Sequence, residues 1–201
     1  MLFRSTLTLS GTNTYTGATR INDGTLRVNG SLISSAVTVA SGATLGGSGT
    51  IGGLATFATG AHLAPGNSPG TITFTGGLIL STGSILDFQL GTASDLIAVS
   101  GGTLSGPGSG TITVNLSDSG GFTAGTYDFI DASGATLTGI DATSFALGTI
   151  IAGYDFTFTQ SGNLFRLVAV TAALPEPATY AALLGAAALA FAAFRRKNAR
   201  P

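Results

Sequence analysis

From Thr6 to Val170 apolar and polar residues alternate in short bursts, and Gly, Asn, Asp or Ser stops each burst. The bursts include Thr6-Leu-Thr-Leu-Ser10, Thr19-Arg-Ile-Asn22, Thr25-Leu-Arg-Val28, Ala36-Val-Thr-Val39 and Thr71-Ile-Thr-Phe-Thr75. A period of two sends successive side chains to opposite faces of an extended strand. The stops, such as Asn22-Asp23-Gly24 and Asn29-Gly30-Ser31, are turn formers. β-Branched Thr, Val and Ile favour the strand further. No stretch before Ala173 carries the 3.6-residue period of a helix. The body is therefore expected to be all-β, built from many short strands.

Two architectures accommodate such strands. In a solenoid, each coil stacks on the next because it cannot bury its own apolar face. In a sandwich, two sheets face each other. The turns are Gly-rich and lack Asn-Gly hairpin signals between matched strands, and a turn Gly followed by one aliphatic recurs. Gly24-Thr-Leu26, Gly42-Ala-Thr-Leu45 and Gly60-Ala-His-Leu63 are three such units. This recurrence favours the solenoid.

The segment from Leu7 to Val28 resembles an autotransporter-associated β-strand repeat. It has the Leu-rich strand at Leu7 to Leu9, the turn Asn13-Thr-Tyr15-Thr-Gly17, the Ile21 strand, and Gly24-Thr-Leu26. Ala18 stands where a second Gly is common in that family. Gly60 to Thr71, with Pro65-Gly66-Asn67-Ser68-Pro69-Gly70, resembles a turn common in such passengers. Gly125 to Gly134 resembles a strand near their C-terminal end. The resemblance implies a right-handed parallel β-helix of the kind that serves as a stalk or adhesin passenger. The usual autotransporter β-barrel is not expected here, its place being taken by the C-terminal tail.

Residues 1–90 read as the solenoid repeats. Residues 91–170 carry longer strands: Asp95–Ser100, Thr111–Leu116, Thr126–Ala132, Tyr154–Gln160 and Leu164–Val170. The last two, joined by Ser161-Gly162-Asn163, read as a hairpin with a three-residue turn. This region is expected to close the solenoid with antiparallel strands, since an open end leaves unpaired backbone.

Residues 171–177 read as a linker, and 178–201 as a transmembrane helix with a basic tail. The chain is uncharged from Ala178 to Phe194, about 26 Å of helix, close to the lower limit for a bilayer core of about 30 Å. Tyr180 to Phe194 is apolar on every face, unlike a helix that packs on a soluble domain. Pro175 and Pro177 stop the helix from growing backwards. Arg195, Arg196 and Lys197 should stay on the cytoplasmic side, which puts the body outside the inner membrane.

In this order, Pro175-Glu176-Pro177, the helix with Gly185, and Arg195-Arg196-Lys197 resemble a PEP-CTERM sorting signal. The resemblance implies recognition by an exosortase, a membrane-embedded protease of Gram-negative bacteria thought to cleave near Pro-Glu-Pro. It also implies a surface or biofilm-matrix destination and extracellular polysaccharide as a partner. After Met1-Leu2-Phe3-Arg4 there is polar alternation, not an apolar signal-peptide core. The expectation is that this chain is the C-terminal part of a longer protein, or that its true start lies upstream.

Charged residues make up 8% of the chain, against about 25% in a typical soluble protein. Half of the basic residues fall in the last seven positions, and residues 1–174 hold four Arg against eight Asp. Nucleic acid, which needs a basic face, is not an expected partner. With no Cys there is neither a disulfide nor a thiolate metal site.

Three catalytic or binding patterns carry little. Gly47-Ser-Gly49-Thr-Ile-Gly52 fits a dinucleotide fingerprint but is followed by a strand pattern, Gly53 to Phe57, and no carboxylate occurs until Asp87. Gly66-Asn-Ser68-Pro-Gly70 fits a nucleophile elbow but leads into a strand; His62, the only His, lies six residues from Ser68. The carboxylates Asp87, Asp95, Asp118, Asp128, Asp131, Asp141 and Asp155 are scattered. By parity Asp128 and Asp131 should face opposite ways. Asp118 and Asp141 read as turn residues bonding their own backbone, with weak Ca²⁺ binding as the rival reading. Phe57, Phe74, Phe88, Phe129, Phe156 and Phe158 read as core, and Tyr15 as the one aromatic with a surface role.

The expectation is a non-enzymatic, exported surface or matrix protein with no cofactor and no metal. The alternative is a polysaccharide-binding or polysaccharide-degrading module.

Overall fold

The computed structural model describes residues 5–67 and 69–173. Strands follow one another in triplets, and each triplet is one coil. The first coil is β1 (Thr6–Leu9), β2 (Thr12–Asn13) and β3 (Thr19–Ile21); the second is β4 (Thr25–Val28), β5 (Ser31–Leu32) and β6 (Val37–Val39). The third is β7 (Thr44–Gly47), β8 (Thr50–Ile51) and β9 (Ala55–Phe57), and the fourth is β10 (His62–Pro65), β11 (Thr71–Phe74) and β12 (Leu78–Leu80). The fifth is β13 (Ile85–Gly91), β14 (Leu96–Val99) and β15 (Thr103–Ser105), and the sixth is β16 (Ile112–Gly120), β17 (Gly125–Asp131) and β18 (Thr136–Thr138). A short 3₁₀ turn, Ala142–Ser144, leads into β19 (Phe145–Leu147), β20 (Tyr154–Ser161) and β21 (Leu164–Thr171).

The first strands of all coils form one sheet, the second strands another and the third strands a third. Neighbouring coils pair parallel on all three faces. The result is the all-β parallel solenoid expected from the period-two bursts. Its coils up to Val170 form one compact unit.

The recurring aliphatics explain why the coils stack. Leu7, Leu26, Leu45, Leu63, Leu86, Val114 and Leu147 stand in register along the first sheet. Leu7 is 60% exposed and Leu147 38%, while Leu45, Leu63 and Leu86 are fully buried. A coil thus covers its neighbour's Leu and needs another coil to cover its own. Each covered Leu contributes about 1.5–3 kcal/mol. The second sheet stacks Leu32, Ile51, Phe74 and Val99 in the same way, and the third stacks Ile21, Val39, Phe57 and Leu80.

The expected cost of Leu63→Ala is about 2–5 kcal/mol, because the cavity is enclosed above and below. Leu7→Ala is expected to stay within about 0.5 kcal/mol. Urea unfolding of the full-length protein in detergent checks both; equal costs would contradict the stacking account.

Glycine permits the tight corner between the first and second sheets. A Cβ on Gly30 would strike the Gly11 carbonyl, and one on Gly49 the Gly30 carbonyl. The coils approach each other there through backbone alone.

Two expectations need correction. The parallel ladder does not stop near residue 90. It runs through β13, β16 and β19 in the first sheet and through β14 and β17 in the second. Among the described residues, antiparallel strand pairing is confined to the end, where β21 returns beside β17 and β20 flanks it, apart from a single bridge between Gly47 and Gly66. Strand length, which set residues 91–170 apart in the sequence, carries no information on direction. The final turn is also shorter than expected: Ser161 belongs to β20, so only Gly162 and Asn163 lie between the strands. Gly162 has φ +61°, and the Asn163 amide donates to the carbonyls of Ala132 and Ala135, tying the turn to the sixth coil.

Aromatic rings fill the closing end. Phe129 is surrounded by the rings of Phe88, Phe145, Phe158 and Phe165 at centroid distances of 5.1–6.5 Å. Phe57, Phe74, Phe88 and Phe129 are buried, and Phe156 and Phe158 pack half-buried against the core, as their alternation suggests. No helix among the described residues is long and apolar enough to cross a membrane. The helix expected at 178–201 lies outside the described residues.

Candidate functional site

The outward face of the first sheet begins as a Thr column, Thr6, Thr25 and Thr44, one Thr per coil. At the fourth coil His62 takes the next place in that column. Two residues further along the strands, a second outward column runs Thr8, Arg27, Gly46 and Ala64, with Asp87 opposite Asn115 on the later coils. Charged and amide side chains therefore gather on one face between the second and the sixth coil.

They are joined by hydrogen bonds. His62 Nδ1 and Asp87 Oδ2 are 2.7 Å apart. Asn115 Nδ2 donates to Asp87 Oδ1 at 2.8 Å, and the Thr149 N–H donates to Asn115 Oδ1 at 2.9 Å. In register His62 faces Ile85, so it meets Asp87 diagonally. Both oxygens of Asp87 are engaged, which fixes the carboxylate and orients the imidazole. Arg27 Nη1 donates to Asn67 Oδ1 at 2.9 Å. To reach Asn67, two coils on, Arg27 crosses the coil of Gly46, where no side chain stands.

Asp95 builds the wall beside this face. It is 1% exposed, and its oxygens accept from the Gly70 N–H and the Gln89 N–H, each at 2.8 Å. One carboxylate thus ties the connection between β10 and β11 to β13. Burial pushes the Asp95 carboxyl above the ordinary range, and the two N–H donors pull it partly back. Gly66 is needed at the bend: its φ is +78°, and a Cβ there would meet Asp95 Oδ1 at 2.7 Å as well as the Gly70 nitrogen. Between the bend and β13 lies a cleft of about 200 Å³, lined among others by Arg27, Pro65, Asn67, Asp87, Gln89 and Ser117.

The other residues singled out in the sequence lie apart from this face. Pro175, Glu176, Pro177, Arg195, Arg196, Lys197 and Ser68 are outside the described residues. Gly47 to Gly52 turns the chain from β7 into β8, a strand. Tyr15 is exposed, with its hydroxyl 2.7 Å from Thr19 Oγ1. Asp141 accepts from Thr143 N and Thr143 Oγ1 at the 3₁₀ turn, and these bonds hold its carboxyl below the usual range. Asp118 lies within β16 and accepts from the Gly120 N–H at 2.7 Å.

The parity argument for Asp128 and Asp131 fails. Asp128 pairs with Arg166 and Ile130 with Phe165, so Phe129 is an extra residue, a β-bulge. Phe129 and Ile130 are both buried, and the two Asp point outward on the same side. Asp128 takes Arg166 Nε at 2.8 Å, an exposed pair worth less than about 1 kcal/mol. Asp131 accepts from the Ser133 N–H.

The His62–Asp87–Asn115 chain was not read from the sequence. A signal was present: Gly83-Ser-Ile-Leu86 is a further copy of the Gly-Leu unit. It sets Ile85 beside His62 and places Asp87 one step past the Leu.

The sequence profile of the Passenger-associated-transport-repeat, an autotransporter-associated β-strand repeat, matches residues 5–28. Those residues are the first coil together with β4, one full turn of the solenoid. No curated protein matches the chain.

Proposed function

We propose that this chain is the body and sorting tail of an exported, non-enzymatic surface or extracellular-matrix protein, structural or adhesin-like in role. The observation that supports it most is the stack of passenger-type coils clad in hydroxyls. Thr12, Ser31 and Thr50 face outward on the second sheet, and Thr38, Thr56, Thr103 and Thr136 on the third. Such a surface is wettable with few charges, and each added coil adds its own interface to the stability of the stack. We take the coil to be right-handed, the hand that parallel crossovers adopt almost without exception.

Pro175, Glu176 and Pro177 are the proposed recognition motif for an exosortase-type protease. The apolar run Ala178 to Phe194 holds the chain in the inner membrane until cleavage, and Arg195, Arg196 and Lys197 stop transfer. The intact mass of the protein, taken from fractionated cells that make it, tests this. The expected species ends near Pro175–Pro177 and is found in the envelope or extracellular fraction. A full-length species in the inner membrane would make the helix a permanent anchor and end the exosortase reading.

A further inference from the structure

We infer that the cleft between Arg27 and Asp87 is a binding subsite for one carboxylated sugar ring, a hexuronate within an acidic glycan. The inference rests on the surface reading above only in that a matrix protein meets glycans. Three observations carry it.

The first is shape. Gly46 and Ala64 stand in the column between Arg27 and Asp87 and offer nothing larger than a methyl group. With strands about 4.8 Å apart, the Arg27 and Asp87 coils stand roughly 14 Å apart, and the Arg27 side chain reaches over Gly46 to form one rim of a trough that opens over Ala64. The enclosed part, about 200 Å³, is below the range of about 300–1,000 Å³ typical of sites for larger ligands, and suits a single ring. Ala64 and Pro65 line it with apolar carbon, which suits the C–H face of a pyranose.

The second is charge. Among the described residues Arg166 is paired with Asp128, and Asp87 is held by His62, while Arg27 has no carboxylate partner. It is held at the rim by a neutral amide, Asn67. A guanidinium carries five donors in a planar fork that matches a carboxylate. The carboxylates nearby already accept hydrogen bonds, Asp87 from His62 and Asn115 and Asp95 from two N–H donors, so neither is drawn to Arg27.

The third is rigidity. Asp87 is fixed on both oxygens and Asp95 pins the bend, so the walls are set before a ligand arrives. Asp87, the Gln89 amide and the Ser117 hydroxyl then face a bound ring with acceptors and donors for its hydroxyls.

The test is titration calorimetry of the full-length protein in detergent with a polymannuronate tetramer, with cellotetraose as the neutral control. The acidic tetramer is expected to bind in the millimolar range or tighter, and the neutral one at least about tenfold more weakly, since a charge-assisted pair is lost. Arg27→Gln is expected to abolish that preference. Ala64→Leu, which fills the trough from an outward position, is expected to abolish binding of both. Circular dichroism melting confirms that each variant is folded. Absence of acidic-tetramer binding, equal binding of the two sugars, or binding indifferent to both variants would overturn the subsite. None of these results bears on processing at Pro175–Pro177, so the two readings fail separately.

Discussion

Replacing Phe129 by alanine is expected to lower stability by about 3–5 kcal/mol, the largest effect of any single truncation considered for this chain. Phe129 is 2% exposed and contacts four other rings. Those rings come from β13, β19, β20 and β21, so one side chain links the fifth coil to the closing hairpin. As the extra residue of a bulge, it points inward beside Ile130 and fills space that regular alternation would leave to one residue. In a solenoid stability is a sum over neighbouring coils, and a defect at one end is felt mainly there. Hydrogen exchange of Phe129→Ala should therefore show lost protection in β17, β20 and β21, with β4 and β7 nearly unchanged. Uniform loss along the whole stack would mean that the coils unfold as one cooperative block.

The second large effect is expected at Asp95. Asp95→Ala strands the Gly70 and Gln89 N–H groups without acceptors, at a cost of about 2–5 kcal/mol. Asp95→Asn keeps one acceptor and should cost less. The pH dependence has a definite sign. The folded-state pKa of Asp95 is raised above its unfolded value near 3.8, so between the two the folded chain binds more protons. The contribution of Asp95 to stability is therefore greatest at low pH and falls as pH rises through the folded pKa. Urea unfolding of the native protein and of Asp95→Asn at a series of pH values measures it. The advantage of the native protein over Asp95→Asn should shrink from the acid side towards neutrality. An advantage that grows with pH would mean that the two N–H donors outweigh burial. Asp141 acts in the opposite sense, since its lowered pKa favours the folded state above the ordinary carboxylate range and is lost on acidification, but it is fully exposed.

The sequence by itself determined the strands, their inward faces and the stacking aliphatics. These depend on period two, on turn Gly and on β-branched residues, all of which act within a few residues. Leu26, Leu45 and Leu63 each follow a recurring turn Gly in the sequence, and the register stacks them on one another. Tertiary structure alone decided which polar residues meet. The early coils take 19, 19 and 18 residues, from Thr6 through Thr25 and Thr44 to His62, but the later ones take 23, 28 and 33, through Ile85 and Thr113 to Ala146. With coil length drifting, no fixed spacing connects His62 to Asp87 or Arg27 to Asn67. The bulge at Phe129 likewise reversed the facing of Asp131, because one extra residue shifts every later side chain to the other face. Local patterns specify what a strand is. Loop lengths and a single bulge, set only when the coils close on one another, specify which strands' side chains become neighbours.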